Sequence, residues 1–214
     1  MGEIRMKTLA YLHISQHTDA NNRTVTHGEE RIQQYLDGFS KFFEYPGLQK
    51  FDILVTDNTI TEDCPLDKRL QDLISSYKCR TVLCDNNHGK QNKGAGVLEQ
   101  WRYCRDIILE YDWIIPFEPR QLLLNFDFFD SFFEAPRNLF HQDTGHAGAP
   151  CFWTGLFAAS SGVLIDFVDN SSLGATQSIE YVVYDYIKDR CEFDTIEKLN
   201  LAWNDAAQNK WEEM

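Results

Sequence analysis

Apolar residues in the first half of the chain alternate between two spacings, which predict alternating strands and helices. Short unbroken apolar runs are typical of strands that are buried on both faces of a sheet. Between these runs, apolar residues recur every three or four positions, as on helices that cover a sheet. The predicted strands are 7–15, 51–56, 80–84 and 113–117, and the helices between them run from 29 to the Pro-Gly pair at 46–47, over 66–77 and over 97–111. This alternation predicts an α/β fold with a mostly parallel sheet and right-handed crossovers.

The second half of the chain has a less regular pattern. We expect a short helix or turn at 122–133, strands at 138–141, 152–159 and 162–168, a helix at 176–190 and a polar helix at 195–214. No internal repeat is visible, and 214 residues fit one large domain. We therefore expect a single Rossmann-like domain over 1–214, in which helices flank the sheet.

The apolar run 113–117 organises the first half, because two charged residues follow it at once. Glu118 and Arg120 stand at its carboxyl end. Ligands of open α/β sheets bind just beyond the carboxyl ends of the strands, so both side chains are candidates for an active site. Pro116 removes a hydrogen-bond donor from the ladder and predicts a bend or bulge in this strand.

Composition and charge narrow the classes of partner. A hydrophobic content of 43% supports a continuous core. The formal net charge of -13 repels phosphate backbones, so we expect no nucleic acid partner. The six cysteines show no zinc-site spacing, and the N-terminus resembles neither a signal peptide nor a membrane span. These features predict a cytoplasmic protein with reduced thiols and no membrane span.

The segment 88–96, HGKQNKGAG, is the best candidate for an anion-binding loop. Its glycines would let backbone donors approach a phosphate, and the helix that follows adds positive potential at its N-terminus. Lys93 adds a charge beside Gly94. The segment matches neither GxGxxG nor the Walker pattern, and a solvated loop capped by glycine is an equal alternative.

This order of parts resembles the nucleotide-sugar glycosyltransferases of the GT-A fold. The resemblance covers the layout of 7–190 and includes the Asn-Lys-Gly helix start at 92–94 and the buried strand that ends in Glu118. More narrowly, the chain resembles the N-terminal glycosyltransferase domains of large chlorovirus proteins that build capsid glycans. That resemblance implies a viral protein of the host cytoplasm with further domains in a longer, polyprotein-like enzyme. It also implies a nucleotide-binding half over 7–120 and an acceptor-side half over 121–214.

The resemblance implies a donor site at the ends of the first strands. Carried over by position, the donor-binding residues are His13, Ser15, Asp57, Asp85, Lys93, Gly94 and Arg120. Each has a structural alternative: Asp57 and Asp85 suit turns, and a histidine inside a strand is more often a core residue.

The family's Asp-x-Asp signature, which holds Mn²⁺ or Mg²⁺ against the diphosphate, occurs nowhere in the chain. At its position stand Glu118, Pro119 and Arg120. Glu118 is the candidate metal ligand, and Arg120 is able to neutralise the diphosphate directly by a bidentate contact. The alternative for this pair is a salt bridge at the edge of the sheet.

Transfer of a sugar requires stabilisation of the leaving diphosphate and, for inversion, a base for the acceptor hydroxyl. The candidate bases are Asp143 and Glu180, and the candidate acceptor-binding residues are His141, His146 and Trp153. Taken singly, Asp143 also suits a turn and Glu180 also suits the start of a helix.

The leading hypothesis is therefore a glycosyltransferase that moves a hexose from a UDP-sugar to a glycan hydroxyl. A sugar-phosphate nucleotidyltransferase shares the early sheet order, but it would normally carry a glycine-rich loop after the first strand, and 16–23 contains no glycine. A noncatalytic glycan-binding module is the third hypothesis, supported by the abundant aromatic residues and the missing Asp-x-Asp.

Overall fold

The computed structural model describes residues 6–18, 26–86, 92–145, 148–174, 176–205 and 210–213. The helices of this part are Gly28–Phe43 (α1), Lys68–Ser76 (α2), Lys93–Tyr103 (α3), Arg105–Ile108 (α4), Asp127–Glu134 (α5), Ser161–Asn170 (α6) and Ile179–Ile187 (α7). The strands are Thr8–Ile14 (β1), Asp52–Asp57 (β2), Arg80–Leu83 (β3), Trp113–Phe117 (β4), Leu122–Leu123 (β5), Leu139–Phe140 (β6), Gln142–Asp143 (β7), Cys151–Phe152 (β8), Ala159–Ser160 (β9), Asp194–Thr195 (β10), Leu201–Asp205 (β11) and Lys210–Glu213 (β12).

The central sheet has the strand order β3-β2-β1-β4-β9. The first four strands are parallel, and β9 adds an antiparallel edge. Strand β1 lies in the middle, where Leu12 is opposite Val55 on one side and Phe117 on the other. The prediction of an α/β fold with a mostly parallel sheet flanked by helices is confirmed. The carboxyl ends of β1, β2, β3 and β4 consequently meet at one edge.

Pro116 lies in a strand that pairs regularly on one side. From Thr8 opposite Trp113 to Leu12 opposite Phe117, the register of β4 against β1 does not change. On its other side β4 pairs with β9 only at Trp113 and Ile114, and a single bridge at Phe117 follows. The ladder is interrupted where the proline stands, so the irregularity lies on that side of the strand.

Both faces of the sheet are buried, which explains the unbroken apolar run of β1. Ala10, Leu12 and Ile14 belong to the core on one face, whereas Leu9 and Tyr11 belong to the core on the other. The first core is aromatic and is centred on Phe42 of α1, whose ring contacts those of Phe43, Phe51, Phe117 and Phe129 at centroid distances of 5.6 to 5.9 Å. Aromatic pairs at this spacing add to the stabilisation from burial. Helix α1 is thereby fixed against β4.

Three predictions for the second half are wrong. The predicted strand 152–159 forms strands only at its two ends, in β8 and β9. The segment 162–168 belongs to helix α6, which begins where the Ser160 hydroxyl accepts a hydrogen bond from the backbone N–H of Val163 at 3.3 Å. The tail forms strands β11 and β12 instead of a polar helix. Strand β11 pairs with β5 through Leu201 and Ala202. None of the helices in the described ranges combines the length and apolar character that a bilayer-spanning helix needs.

Candidate functional site

The turn that follows β4 is held between α1 and the segment before β9. The backbone N–H of Glu118 donates to the carbonyl of Gly155 at 2.9 Å. A Cβ atom added at Gly38 of α1 would lie 1.7 Å from the carbonyl oxygen of Pro119, and one added at Gly155 would lie 1.9 Å from Nε2 of Gln121. Gly38 is therefore required for the close approach of α1 to the backbone of the turn, whereas Gly155 makes room for the side chain of Gln121.

Glu118 and Arg120 form an ion pair within this turn. The Nε atom of Arg120 lies 2.6 Å from Oε1 of Glu118, and its Nη2 also donates to that oxygen. The side chains are 23% and 25% exposed. Burial alone would raise the pKa of Glu118, but the positive charges of Arg120 and Arg31, together with His13, lower it to about 2. The carboxylate thus stays ionised across the physiological range.

A buried arginine stands behind this ion pair. Arg31 of α1 is 2% exposed. Its Nε donates to the carbonyl of Ser15 at 2.5 Å and its Nη2 to the hydroxyl of Tyr35 at 3.3 Å. That hydroxyl also accepts the backbone N–H of Ser15 at 2.9 Å. Among the described residues, nothing accepts a hydrogen bond from Nη1 of Arg31.

Sequence reasoning missed Arg31 and Tyr35, although the pattern contained a signal for them. Positions 31, 35, 39 and 42 lie on one face of α1, and the last two are the core residues Phe39 and Phe42. A charged residue on the apolar face of a helix is rarely fully buried unless it has a function or a partner. Arg31 is the one charged residue among these four positions, and its place on the buried face of α1 indicates a function or a partner.

His13 is a buried member of the predicted donor set, and the charges of Glu118 and Arg120 act on it. It is 6% exposed, and within the described part of the chain its Nδ1 has no hydrogen-bond partner. Burial lowers its pKa, with Arg120 acting in the same direction and Glu118 in the opposite one. The imidazole is consequently neutral at pH 7.

Asp57 and Asp85 have different surroundings at the ends of β2 and β3. The side chain of Asp57 is fully buried. It accepts the backbone N–H of Gln16 at 2.8 Å and that of Thr59 at 2.7 Å. The carboxylate therefore joins the ends of β1 and β2, as the turn interpretation expected, and burial raises its pKa. Asp85 is exposed after β3. Donor binding by either residue stays a prediction.

The start of α3 is capped from within the chain. Oδ1 of Asn92 accepts the backbone N–H groups of Gly94 at 2.9 Å and Ala95 at 3.3 Å. Two donors that the sequence suggested for a phosphate are thus already satisfied. A Cβ atom at Gly94 would lie 2.7 Å from Cβ of Ile179, so this glycine lets α3 and α7 approach. The rest of the predicted loop, 88–91, lies outside the described residues.

Lys93 and Glu180 come together where α3 and α7 meet. Loss of solvent lowers the pKa of Lys93, with contributions from the charges of Arg120 and Arg31, and Glu180 opposes this effect. Oε1 of Glu180 accepts from the hydroxyl of Thr154 at 3.2 Å. The structure therefore gathers Lys93, Glu180, Glu118, Arg120, Arg31 and His13 into one electrostatic group at the carboxyl edge of the sheet.

The other predicted acceptor-side residues lie farther along the β7–β8 hairpin. Nδ1 of His141 is 3.0 Å from the carbonyl of Ile196. Asp143 is exposed and accepts the backbone N–H of Thr144 at 2.6 Å. Trp153 is nearer to the turn after β4, because its Nε1 donates to Oε1 of Gln121 at 3.2 Å. His146 lies outside the described residues.

Replacing Glu118 with glutamine should remove a pH-dependent contribution to stability. The folded pKa of about 2 lies below the ordinary value of 4.5, so the charge contributes fully above pH 4.5, and this contribution is lost as the pH falls through about 2. The variant should be less stable than the wild type by about 3 kcal/mol at pH 7. Urea unfolding at pH 7, 4 and 3 measures the difference.

The matched control is Glu62→Gln, because Glu62 is an exposed carboxylate away from this turn. We expect its difference from the wild type to stay near zero at all three pH values. A difference for Glu118→Gln that does not shrink between pH 4 and pH 3 would contradict the assigned ion pair.

Known proteins resemble this chain in structure but not in sequence. No protein-family model matches it, and neither does any curated protein sequence. A mannosyltransferase from Pyrobaculum calidifontis, in complex with GDP-Man and Mn²⁺, matches with a TM-score of 0.57 and 10% identity, covering 92% of this chain and 56% of that one. A protein from Desulfovibrio desulfuricans G20 described as a nucleotide-diphospho-sugar transferase matches with a TM-score of 0.56 and 9% identity, covering 90% and 80%.

A third neighbour has a different activity. The 4-diphosphocytidyl-2C-methyl-D-erythritol synthase from Anaerococcus prevotii matches with a TM-score of 0.55 and 7% identity, covering 90% of this chain and 87% of that one. Together these matches define the class: the chain has the Rossmann-like, GT-A-like fold of nucleotide-sugar transferase domains. Because one fold hosts several chemistries, the particular reaction has to be argued from the site.

Proposed function

We propose that the protein is a cytoplasmic glycosyltransferase that moves a hexose from a UDP-sugar to a hydroxyl group of a glycan acceptor. One observation carries the proposal. Three cations, Arg31, Lys93 and Arg120, lie at the carboxyl edge of a parallel sheet. They are close enough that, besides burial, the charge of Arg120 lowers the pKa of both Arg31 and Lys93. In a chain with a net charge of -13, such a concentration of cations suits a strongly anionic ligand. A nucleoside diphosphate bound at this edge has that character.

The reaction would use these groups in two places. The acceptor oxygen attacks C1 of the sugar, the bond from C1 to the β-phosphate oxygen breaks, and its electron pair leaves with UDP. Cations fixed near that oxygen stabilise the charge as it develops. In an inverting transfer, Glu180 is suited to take the acceptor proton, because it lies near Lys93 and its carboxylate is oriented by Thr154. Asp143, which is exposed on the hairpin, is the second candidate.

The remaining assignments extend this proposal. His13, Ser15, Asp57 and Asp85 would surround the nucleoside, since they stand at the ends of β1, β2 and β3. His141, His146 and Trp153 would line the acceptor side. The indole of Trp153 offers an apolar face for a sugar ring and is tied to Gln121 beside the turn. Attachment to further domains of a viral enzyme stays a prediction.

A divalent ion fits poorly among the described side chains. The Mn²⁺ in the mannosyltransferase neighbour raises the question of a metal. In this chain, no set of three His, Cys, Asp or Glu residues within the described ranges is arranged to hold one. The predicted ligand, Glu118, already accepts two hydrogen bonds from Arg120 and lies near Arg31 and His13. Positive neighbours oppose a cation there, so metal binding by Glu118 stays a prediction that its surroundings disfavour.

The nucleotidyltransferase hypothesis is the main alternative, because one neighbour of similar TM-score has that activity. Such an enzyme would bind its nucleotide with a glycine-rich loop after β1. Here the backbone N–H of Gln16 donates to Asp57, and that of His17 donates to Thr59 at 3.0 Å. These donors are committed within the chain, which favours the glycosyltransferase.

Calorimetric titration with UDP, UDP-hexoses and CTP tests the proposal. We expect UDP and at least one UDP-hexose to bind with a dissociation constant below about 1 mM and CTP to bind more weakly. Purified protein should also release UDP slowly from the bound UDP-hexose, which a noncatalytic glycan-binding module would not do. Absence of UDP binding both in EDTA and in Mn²⁺ would remove the proposed function. Synthesis of a nucleotide sugar from CTP and a sugar phosphate would establish the alternative.

A further inference from the structure

Arg31 of α1 is a buried cation with no ion-pair partner among the residues that the structure describes. Its hydrogen bonds go to a backbone carbonyl and a tyrosine hydroxyl. Its Nη1 has no acceptor within the described part of the chain. A buried guanidinium with an unsatisfied N–H group is costly, and such groups in native proteins are normally paired. The arrangement indicates that an anion from outside the chain completes it.

The surroundings of Arg31 place this anion at the edge of the sheet. Its Nε is hydrogen-bonded to Ser15, the first residue after β1. The charges that act on it include the ion pair of Glu118 and Arg120, which follows β4, and Asp57, which ends β2. Lys93, at the start of α3, is affected by both arginines. The unsatisfied group therefore belongs to the same edge where the proposed donor would bind.

The three cations of this group, Arg31, Lys93 and Arg120, act on the carboxylate of Glu118 or on one another, and Glu180 and Asp57 add negative charge. Among the described residues, only Arg120 forms an ion pair with a carboxylate of the group. Arg31 and Lys93 are thus the cations that an added anion would pair with. Glu118 holds Arg120 through Nε and Nη2, which orients the guanidinium.

We propose that Arg31, Arg120 and Lys93 bind the diphosphate of the donor directly, with Nη1 of Arg31 donating to a phosphate oxygen, so that donor binding needs no divalent cation. This inference rests on the proposed function and deepens it. Guanidinium groups match phosphate oxygens in geometry and keep their charge when buried, which makes them suited to this task. Tyr35 supports the arrangement, because its hydroxyl fixes Nη2 of Arg31.

The test compares UDP with uridine in EDTA and in Mn²⁺. In the wild-type protein, the affinity for UDP in EDTA should be within about 3-fold of that in Mn²⁺. Such a ratio is well below the tenfold change that corresponds to about 1.4 kcal/mol of binding free energy. Arg31→Met should weaken UDP binding by about 30-fold or more and leave uridine binding nearly unchanged. Arg31→Lys should fall between these values. The control Arg105→Met removes an exposed arginine that pairs with Asp169 on α6 and should have no effect.

The outcomes separate this inference from the function on which it rests. UDP binding that requires Mn²⁺, or that survives Arg31→Met unchanged, would overturn the inference and leave the proposed function standing. Failure of UDP to bind under either condition would overturn both. If Arg31→Met does not fold, Lys93→Met replaces it, because Lys93 is the first residue of α3 and lies outside the core. An unchanged UDP affinity in that variant would likewise count against the cationic group.

Discussion

Gly38→Ala is expected to destabilise the protein by about 3 kcal/mol or more, even though alanine is the better helix former. The added Cβ atom would lie 1.7 Å from the carbonyl oxygen of Pro119. The obstacle is backbone, so no side-chain rotation relieves it. Helix α1 or the turn after β4 must shift, and both are held by the aromatic core around Phe42. Urea unfolding measures the loss.

The matched control is Gly162→Ala in helix α6. Nothing lies within 4 Å of the Cβ position at Gly162, so the same substitution meets open space there. Its helix propensity should then act alone and leave stability unchanged or raise it by up to about 1 kcal/mol. Equal stability of the two variants would show that α1 and the turn after β4 do not approach as closely as the structure indicates.

Glu180→Gln is expected to reduce the rate of sugar transfer by about 10²- to 10⁴-fold while the affinity for UDP stays within a few-fold of the wild type. Glutamine keeps the shape and the hydrogen bond from Thr154 but is unable to accept the acceptor proton. Initial rates of UDP release with acceptor present provide the readout.

Asp143→Asn is the comparison that decides between the two candidate bases. Asp143 is exposed, and its hydrogen bond is to the next residue, Thr144. We expect a change in rate of less than about 3-fold. A large loss in this variant combined with an active Glu180→Gln would move the base to the β7–β8 hairpin. Large losses in both variants would indicate that the two carboxylates act together.

The first half of the fold was predictable because parallel strands leave a simple record in the sequence. Strand β1 is buried by one core through Leu12 and by the other through Tyr11, so every position in it is apolar or enclosed. Each helix between the strands packs on the sheet with one of its own faces. Its apolar residues therefore recur every three or four positions. Element type in this half follows from local pattern alone.

In the second half, local pattern was not sufficient. The apolar run 163–168 is too short to distinguish a strand from a buried helix, and the hydrogen bond that starts α6 depends on the backbone around Ser160. Strand β11 is paired with Leu122 and Leu123, some eighty residues earlier in the chain. Pairing over such a distance overrides the weak helical preference of the polar tail.

The sequence by itself determined the sheet, the edge at which a ligand would bind and the presence there of Glu118 and Arg120, because strand ends follow from hydrophobic pattern. Only the tertiary structure decided what these residues face. Arg31 lies almost ninety residues before Arg120, and the two act on each other because Gly38 lets α1 reach the turn after β4. Electrostatic interaction depends on distance in space, and distance in space is set by packing between elements.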